Sequence, residues 1–315
     1  MVKRLKILLT GSTGYLGRNI LNFFNNRNIE LSEFTHDDID LLLKRVDLKQ
    51  KSHFFKNHPK LNKKYDVIIH TAALSYSECE KDPQKANLVN YLLTELLSQY
   101  CSINNCFLIF FSSVQVYGEK LSGYYDEQSI INPVTNYSIS KANAEKYLIK
   151  MIAKNNLKAT ILRIGNVVGI LNNELSRGWG LFANNCMKNA LLKKEISIKN
   201  NPNLRRNFVP IELLMGVLEK ILDDYSKSNE FIPVILNITT GESKTLLEYS
   251  NLVSEQYKNI FHQSIQIKYE DKLLIPIPYS VIENKELINY LYYFEKYSLV
   301  RTIKKTLNMI KSISI

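Results

Sequence analysis

The sequence predicts an α/β protein: a doubly wound parallel sheet, with a smaller α/β lobe interwoven with the end of that sheet. Three observations predict it. Apolar, strand-like runs at 5–10, 29–34, 66–71, 107–112 and 159–164 alternate with helical patterns, the arrangement that gives parallel strands linked by helical crossovers. The first run leads straight into Gly11, Gly14 and Gly17 and then into a helical pattern. Late in the same half, Tyr137 and Lys141 stand four residues apart, about one helical turn.

The opening strand, Ile7 to Leu9, meets the glycine loop of KILLTGSTGYLG, and a helix is expected over 15–26. Glycines let the backbone approach a phosphate closely, and the unpaired N–H groups at the positive end of the helix attract an anion. The context of strand, glycine turn and helix is what separates a diphosphate seat from an ordinary turn. Further helices are expected over 48–58, 84–102 and 137–154, so residues 1–165 read as a dinucleotide-binding domain. Beyond them, RIGNVVGILNNELSRGWG reads as a loop. A helix (181–193), a strand (196–198), a helix (211–223), a strand (233–238) and a helix (245–258) follow, making 166–315 the substrate lobe.

At 315 residues, with 45% hydrophobic and 23% charged residues, the chain can bury a large core. Its formal charge of +11 is spread out, with no run of five Lys or Arg, which fits anionic small molecules better than nucleic acid. Four cysteines without CxxC spacing or a nearby histidine argue against a disulfide framework and against a metal site. The basic opening MVKRLKILLTG ends its apolar run in glycine, unlike a secretion signal, and no run of 18 apolar residues occurs. A cytoplasmic protein without a membrane partner is expected.

Tyr137 and Lys141, in NYSISKANAE, project from one helix face. An ammonium beside a phenol favours the phenolate, and bringing a tyrosine toward neutrality takes roughly 4 kcal/mol of differential stabilisation. The stretch FLIFFSSVQVYG predicts a buried strand ending at Ser112 and Ser113, at the sheet edge where ligands of wound α/β folds bind. Ser113 is placed to hydrogen-bond the substrate oxygen that Tyr137 protonates; the two serines equally suit a simple strand end.

Taken together, GSTGYLG, HTAA (His70 to Ala73), SSVQVYG and YSISK resemble the extended short-chain dehydrogenase/reductases, the nucleotide-sugar epimerase, dehydratase and reductase group, from about residue 5 to 310. The resemblance implies a Rossmann domain and a catalytic trio of Ser113, Tyr137 and Lys141, with Lys141 also holding the nicotinamide ribose. It implies cofactor contacts from Gly11, Thr13, Gly14, Tyr15, Leu16, Gly17, Thr35, His36, Thr71, Ala72 and Ala73. Asn90 supports the central helix. Asp47 and Leu48 lie beside the adenine by the same resemblance, though Asp47 suits a helix N-cap as well.

Where an acidic side chain would meet the ribose 2′-hydroxyl of NAD, 18 residues beyond Gly17, stand Thr35 and His36. The expected cofactor is therefore NADP or NAD, with Glu33 or Asp37 able to supply the missing acid. On the substrate side the resemblance implies Ser75, Ser113, Gln115, Asn166 and Arg206, the last in LRRNFVPIELL as the arginine that grips a nucleotide diphosphate. Asn207 and Pro210 depart from the usual aspartate and histidine there, and Arg205 competes with Arg206. Asn237 and Glu248 read as structural, and Trp179 as either a sugar or base platform or a loop anchor.

A dehydratase of this group would carry an acidic pair after the catalytic hydroxyl, whereas Val114 and Gln115 follow Ser113 here. The Thr35 slot and AALSYSECEKDP, similar to the same stretch of 4-keto-sugar reductases, point to reduction of a 4-keto nucleotide sugar. A 4-epimerase with tightly bound NAD and a non-catalytic binding protein are the alternatives. A homodimer is implied, with Leu92, Leu96 and Tyr147 serving either its helical seam or the monomer core.

Overall fold

The computed structural model describes residues 4–25, 27–44, 55, 58–118, 123–170, 177–227, 232–270, 277–291 and 294–313. In chain order the elements begin β1 (Leu5–Thr10), α1 (Tyr15–Phe24), β2 (Ile29–Phe34), α2 (His36–Lys44) and β3 (Val67–His70). Next come α3 (Tyr76–Lys81), α4 (Pro83–Ala86), a π-helical turn (Asn87–Leu92), α5 (Leu93–Asn104), β4 (Phe107–Ser113) and β5 (Gly123–Tyr125). Then follow α6 (Asn136–Ala153), β6 (Ala159–Ile164), β7 (Asn166–Val168), α7 (Phe182–Lys193), β8 (Glu195–Ser197), β9 (Arg205–Arg206) and β10 (Phe208–Pro210). The chain ends with α8 (Ile211–Lys227), β11 (Ile235–Ile238), β12 (Lys244–Thr245), α9 (Leu246–Phe261), β13 (Gln266–Lys268), β14 (Ser280–Ile282), α10 (Lys285–Tyr290) and α11 (Leu299–Ile313).

A parallel six-stranded sheet in the order β11-β6-β4-β3-β1-β2 carries the Rossmann-like fold. Strands β3, β4 and β6 are buried at every residue, as strands covered on two faces must be, while edge strand β2 keeps only Phe34 buried. The chain leaves β1 for β2 and then returns to the opposite side of β1 as β3. That reversal makes the carboxyl ends of β1 and β3 the switch point at which wound sheets bind ligands.

The chain divides into two compact units, Met1–Glu119 with Ile130–Arg163 and Tyr225–Ile235, and Lys120–Ser129 with Ile164–Asp224 and Leu236–Ile315. The first unit is organised by a core that includes Leu8, Ile68, Leu96, Leu97, Tyr100, Leu108, Phe110 and Leu148. Leu96, one of the residues considered for a seam between subunits, is fully buried in this core, with Leu92 and Tyr147 packed against it. In the second unit, α8 buries Leu214, Leu218 and Ile221, α9 buries Tyr249, Val253 and Tyr257, and α11 buries Ile303, Leu307 and Ile310, each set at helical spacing.

The expected helix over 84–102 is broken by the π-turn at Asn87–Leu92. Helices α2 and α11 and strand β7 are additions to the sequence expectation, and the helix expected over 48–58 falls almost wholly outside the described residues. Among the described residues no helix is long and apolar enough to cross a membrane.

Candidate active site

The glycine loop closes tightly against the switch point. Gly11 has φ +69°, and a Cβ there would lie 2.7 Å from the backbone nitrogen of Ala72, so only glycine lets the β1 and β3 ends approach this closely. A Cβ on Gly17 would stand 2.1 Å from the Gly11 carbonyl oxygen. Helix α1 starts after Gly14 with no side-chain cap and no acidic residue in its first turn, which leaves its N–H groups and positive end to an anion. Thr13 is exposed, and Gly14, Tyr15 and Leu16 are half-buried beside it.

At the end of β2 the expected ribose position is already engaged. The Thr35 backbone N–H and hydroxyl both donate to Asp38 Oδ2, at 2.7 and 2.9 Å, and Lys60 Nζ donates to the same oxygen at 2.6 Å. Burial works to raise the Asp38 pKa, but the bonds from Lys60 and Thr35 outweigh it and hold the carboxyl below its usual range. Neither Glu33 nor Asp37 supplies this carboxylate; Asp38 does, with its charge met by Lys60. His36 is exposed and lies 3.4 Å from Asp40. Asp47 and Leu48 lie outside the described residues.

The β3 end is fastened to its surroundings by His70, whose Nδ1 lies 2.7 Å from Thr10 Oγ1 and whose Nε2 lies 3.0 Å from Thr94 Oγ1. Burial, helped by the Lys141 charge, pushes the imidazole pKa down to about 3, so the ring is neutral. Thr71 donates its hydroxyl to the Thr10 carbonyl, Ala72 is buried and Ala73 exposed. Asn90, fully buried in the π-turn, accepts from the Leu74 N–H at 2.8 Å and donates to Ser140 Oγ at 3.0 Å. A π-turn at this place re-aims a side chain that a regular helix would direct elsewhere, and here it ties the β3 loop to α6.

Helix α6 opens with a capping box of Thr135 and Ser138 and carries Tyr137 and Lys141. Ser113 ends the buried strand β4, takes the Gln115 N–H at 3.2 Å and stands beside the Tyr137 phenol. Lys141 is 2% exposed; its Nζ donates to the Phe111 carbonyl at 2.7 Å and sits 4.8 Å from the Phe110 ring centroid.

The charge states differ from the sequence expectation. Burial raises the Tyr137 phenol to about 12, against the lowering effect of Ser113, while burial holds the Lys141 ammonium down to about 8. The phenol is therefore protonated at neutral pH, and the expected acidification by its lysine neighbour is corrected. Desolvation disfavours each charged form, and Lys141 spends its hydrogen bond on the Phe111 carbonyl.

Ser75 caps α3 in a reciprocal box with Glu78, so its hydroxyl serves the helix. In the second unit Asn166 is exposed at the start of β7. Arg206 pairs across an antiparallel ladder with Lys244, and Arg205 with Thr245. Arg205 is engaged structurally, donating to the Ser243 carbonyl at 3.0 Å and lying 5.0 Å from the Tyr279 ring centroid. Asn207 also binds structurally, linking to the backbone at Glu242 and Thr240. The Asn237 N–H donates to Glu127, and Glu248 caps α9 with Thr245, both structural uses. Trp179 is 7% exposed, and its backbone carbonyl accepts from Asn185.

The donor set of the first unit fits a dinucleotide. An uncapped helix start suits a diphosphate, Gly11 brings the β1 and β3 ends together with no side chain of its own between them, and the hydroxyls of Ser113 and Tyr137 stand at the carboxyl end of β4. Sequence reasoning missed Asp38 with Lys60, and also the buried ion pair of Glu145 and Arg163. The second pair had a signal, since the charged residue in the apolar run ATILRI needs a buried partner.

Comparison with known proteins places this geometry. The model of a family described as the NAD dependent epimerase/dehydratase family matches residues 7–239. An ADP-L-glycero-D-manno-heptose-6-epimerase of Brachyspira hyodysenteriae is 25% identical over 80% of this chain and 81% of its own length. A GDP-6-deoxy-D-talose 4-dehydrogenase of Aggregatibacter actinomycetemcomitans is 25% identical over 95% of both chains. Among solved structures, MoeE5 in complex with UDP-glucose and NAD superposes with a TM-score of 0.75 at 16% identity, covering 98% of this chain and 100% of its own.

Proposed function

We propose, since this chain belongs to the NAD dependent epimerase/dehydratase family, that it reduces the 4-keto group of a nucleotide-linked sugar. The bound dinucleotide supplies hydride. Tyr137 gives its proton to the carbonyl oxygen, a task suited to a phenol that is still protonated at neutral pH, and Ser113 orients that oxygen. The buried cation of Lys141 stabilises the negative charge left behind. The observation that carries this reading is the convergence, at the carboxyl end of β4, of Ser113, the Tyr137 phenol whose titration it lowers, and Lys141 one helical turn on.

Val114, which is buried, and Gln115 begin a short helical turn after Ser113, so neither of the two residues that follow the hydroxyl offers an acid or base for water elimination. The similarity to a GDP-sugar 4-dehydrogenase along nearly the whole chain supports redox chemistry at C4. We assign the dinucleotide to the first unit, and a phosphate of the substrate to Arg206 in the second.

The test is NADPH and NADH oxidation with GDP- and dTDP-linked 4-keto-6-deoxyhexoses, with expected turnover dependent on added cofactor. Dinucleotide that survives purification, with turnover of UDP-sugars or an ADP-heptose without added cofactor, overturns it in favour of the epimerase reading that the first relative supports. A homodimer is part of the proposal. Leu88, Ile103, Ile139 and Ile149 on the two helical stretches are 44%, 65%, 40% and 39% exposed, and light scattering at micromolar concentration should give twice the chain mass.

A further inference from the structure

Three successive residues of β4 each face a different turn of α6, and two of them are hydrogen-bonded to it. The Phe111 carbonyl accepts from Lys141, the Ser112 hydroxyl donates to Glu145, and Ser113 stands beside the Tyr137 phenol. Tyr137, Lys141 and Glu145 are spaced i, i+4, i+8, one stripe along the helix. The contact of Ser112 with Glu145 has no part in the proton chemistry described above.

Glu145 is fully buried and so is its partner. Arg163 of β6 donates to Glu145 Oε2 from Nη2 at 2.8 Å and from Nε at 3.1 Å, and its Nη1 donates to the Tyr117 hydroxyl at 2.9 Å. Tyr117 also lays its ring 5.0 Å from the guanidinium carbon. A buried ion pair seldom stabilises a fold more than an apolar pair of the same volume does, although breaking one partner away costs heavily. Its presence one turn beyond Lys141 therefore asks for a purpose other than stability.

We propose that Glu145, held in place by Arg163, is a positioning residue that clamps Ser112 and so fixes Ser113 and the Phe111 carbonyl against Tyr137 and Lys141. This rests on the reading of Tyr137 as proton donor. The clamp acts through geometry, because bonds at the two preceding residues, Phe111 and Ser112, and the Gln115 N–H on Ser113 itself fix the strand end that carries the Ser113 hydroxyl. It also acts through charge. Lys141 is faced by Cys79 from α3, neutral His70 from β3, the Phe110 ring and Phe111 carbonyl from β4, and Glu145 and Tyr137 from its own helix. Of these, only Glu145 is a carboxylate.

The experiment replaces the ion pair by an apolar one, Glu145→Leu with Arg163→Met, and separately makes Ser112→Ala with the pair intact. Thermal melting reports folding. Lysine NMR titration reports Lys141, and NADPH oxidation with GDP- and dTDP-linked 4-keto-6-deoxyhexoses reports kcat and KM. The expected result for the double variant is a melting temperature near that of the parent, a Lys141 titration lowered by half a pH unit or more, and kcat reduced at least tenfold with KM within twofold. Ser112→Ala should lower kcat about fivefold at unchanged melting temperature. A double variant with the parent's Lys141 titration and kcat overturns the proposal and leaves the pair merely structural. If the double variant fails to fold, an undiminished kcat in Ser112→Ala overturns it by itself. A parent inactive on every keto sugar overturns the proposed function instead, and the Lys141 titration then still decides the clamp.

Discussion

The ammonium of Lys141 donates to the carbonyl oxygen of Phe111 at 2.7 Å from inside the protein, where burial holds its pKa to about 8. The unfolded chain keeps that proton up to about 10.5. Between these values the unfolded state binds more protons than the folded one, so stability rises with pH across the window and carries the full deficit below it. Urea unfolding of Lys141→Met beside the parent should show the variant's relative advantage shrinking by about 3 kcal/mol from pH 7.5 to 10.5. A constant difference contradicts the depressed pKa.

The Tyr137 phenol, raised to about 12 by burial, should be absent from the tyrosines that ionise near pH 10. Ultraviolet difference titration of the parent against Tyr137→Phe checks this, the expected difference appearing only toward pH 12. The same variant should lose at least a hundredfold in turnover, the scale of a general acid.

Gly17→Ala forces a methyl group to within 2.1 Å of the Gly11 carbonyl oxygen, whereas a Cβ at Gly180 meets nothing within 4 Å. The first change should abolish NADPH binding read by fluorescence and lower stability by more than about 2 kcal/mol. Gly180→Ala should leave both as they are.

Cofactor choice turns on Asp38, whose carboxylate is taken up by Thr35 and Lys60. With that charge neutralised, NADPH should be accepted with a KM no higher than that of NADH. Lys60→Met leaves the carboxylate charge uncompensated and should raise the KM for NADPH severalfold, since an exposed charge contact is worth up to about 1 kcal/mol. A hundredfold preference of the parent for NADH would contradict this.

Asn90→Ala removes the acceptor of the Leu74 N–H and the donor to Ser140 together. Leaving such groups buried without partners costs about 1–3 kcal/mol each. A drop of about 3 kcal/mol in unfolding free energy, with reduced turnover, is expected from chemical denaturation and the assay above.

Much of the sheet was legible because its signal is local. Buried parallel strands read as apolar runs such as FLIFF, and β1, β3, β4 and β6 stand where those runs lie. The π-turn was not legible. NLVNYL has ordinary helical composition, and only the far-off partners of Asn90 reward the extra residue in that turn.

From its own letters the chain determined the glycine loop, the strand that ends in paired serines and the one-turn spacing of Tyr137 and Lys141, because each depends on neighbours within a few residues. Tertiary structure alone decided that Asp38 takes up Thr35 and Lys60 at the end of β2, that Glu145 and Arg163 meet inside the first unit, and that burial moves the phenol up in pKa rather than down. Those outcomes depend on exclusion of water and on partners tens of residues apart, and neither quantity is written in the order of residues along one segment.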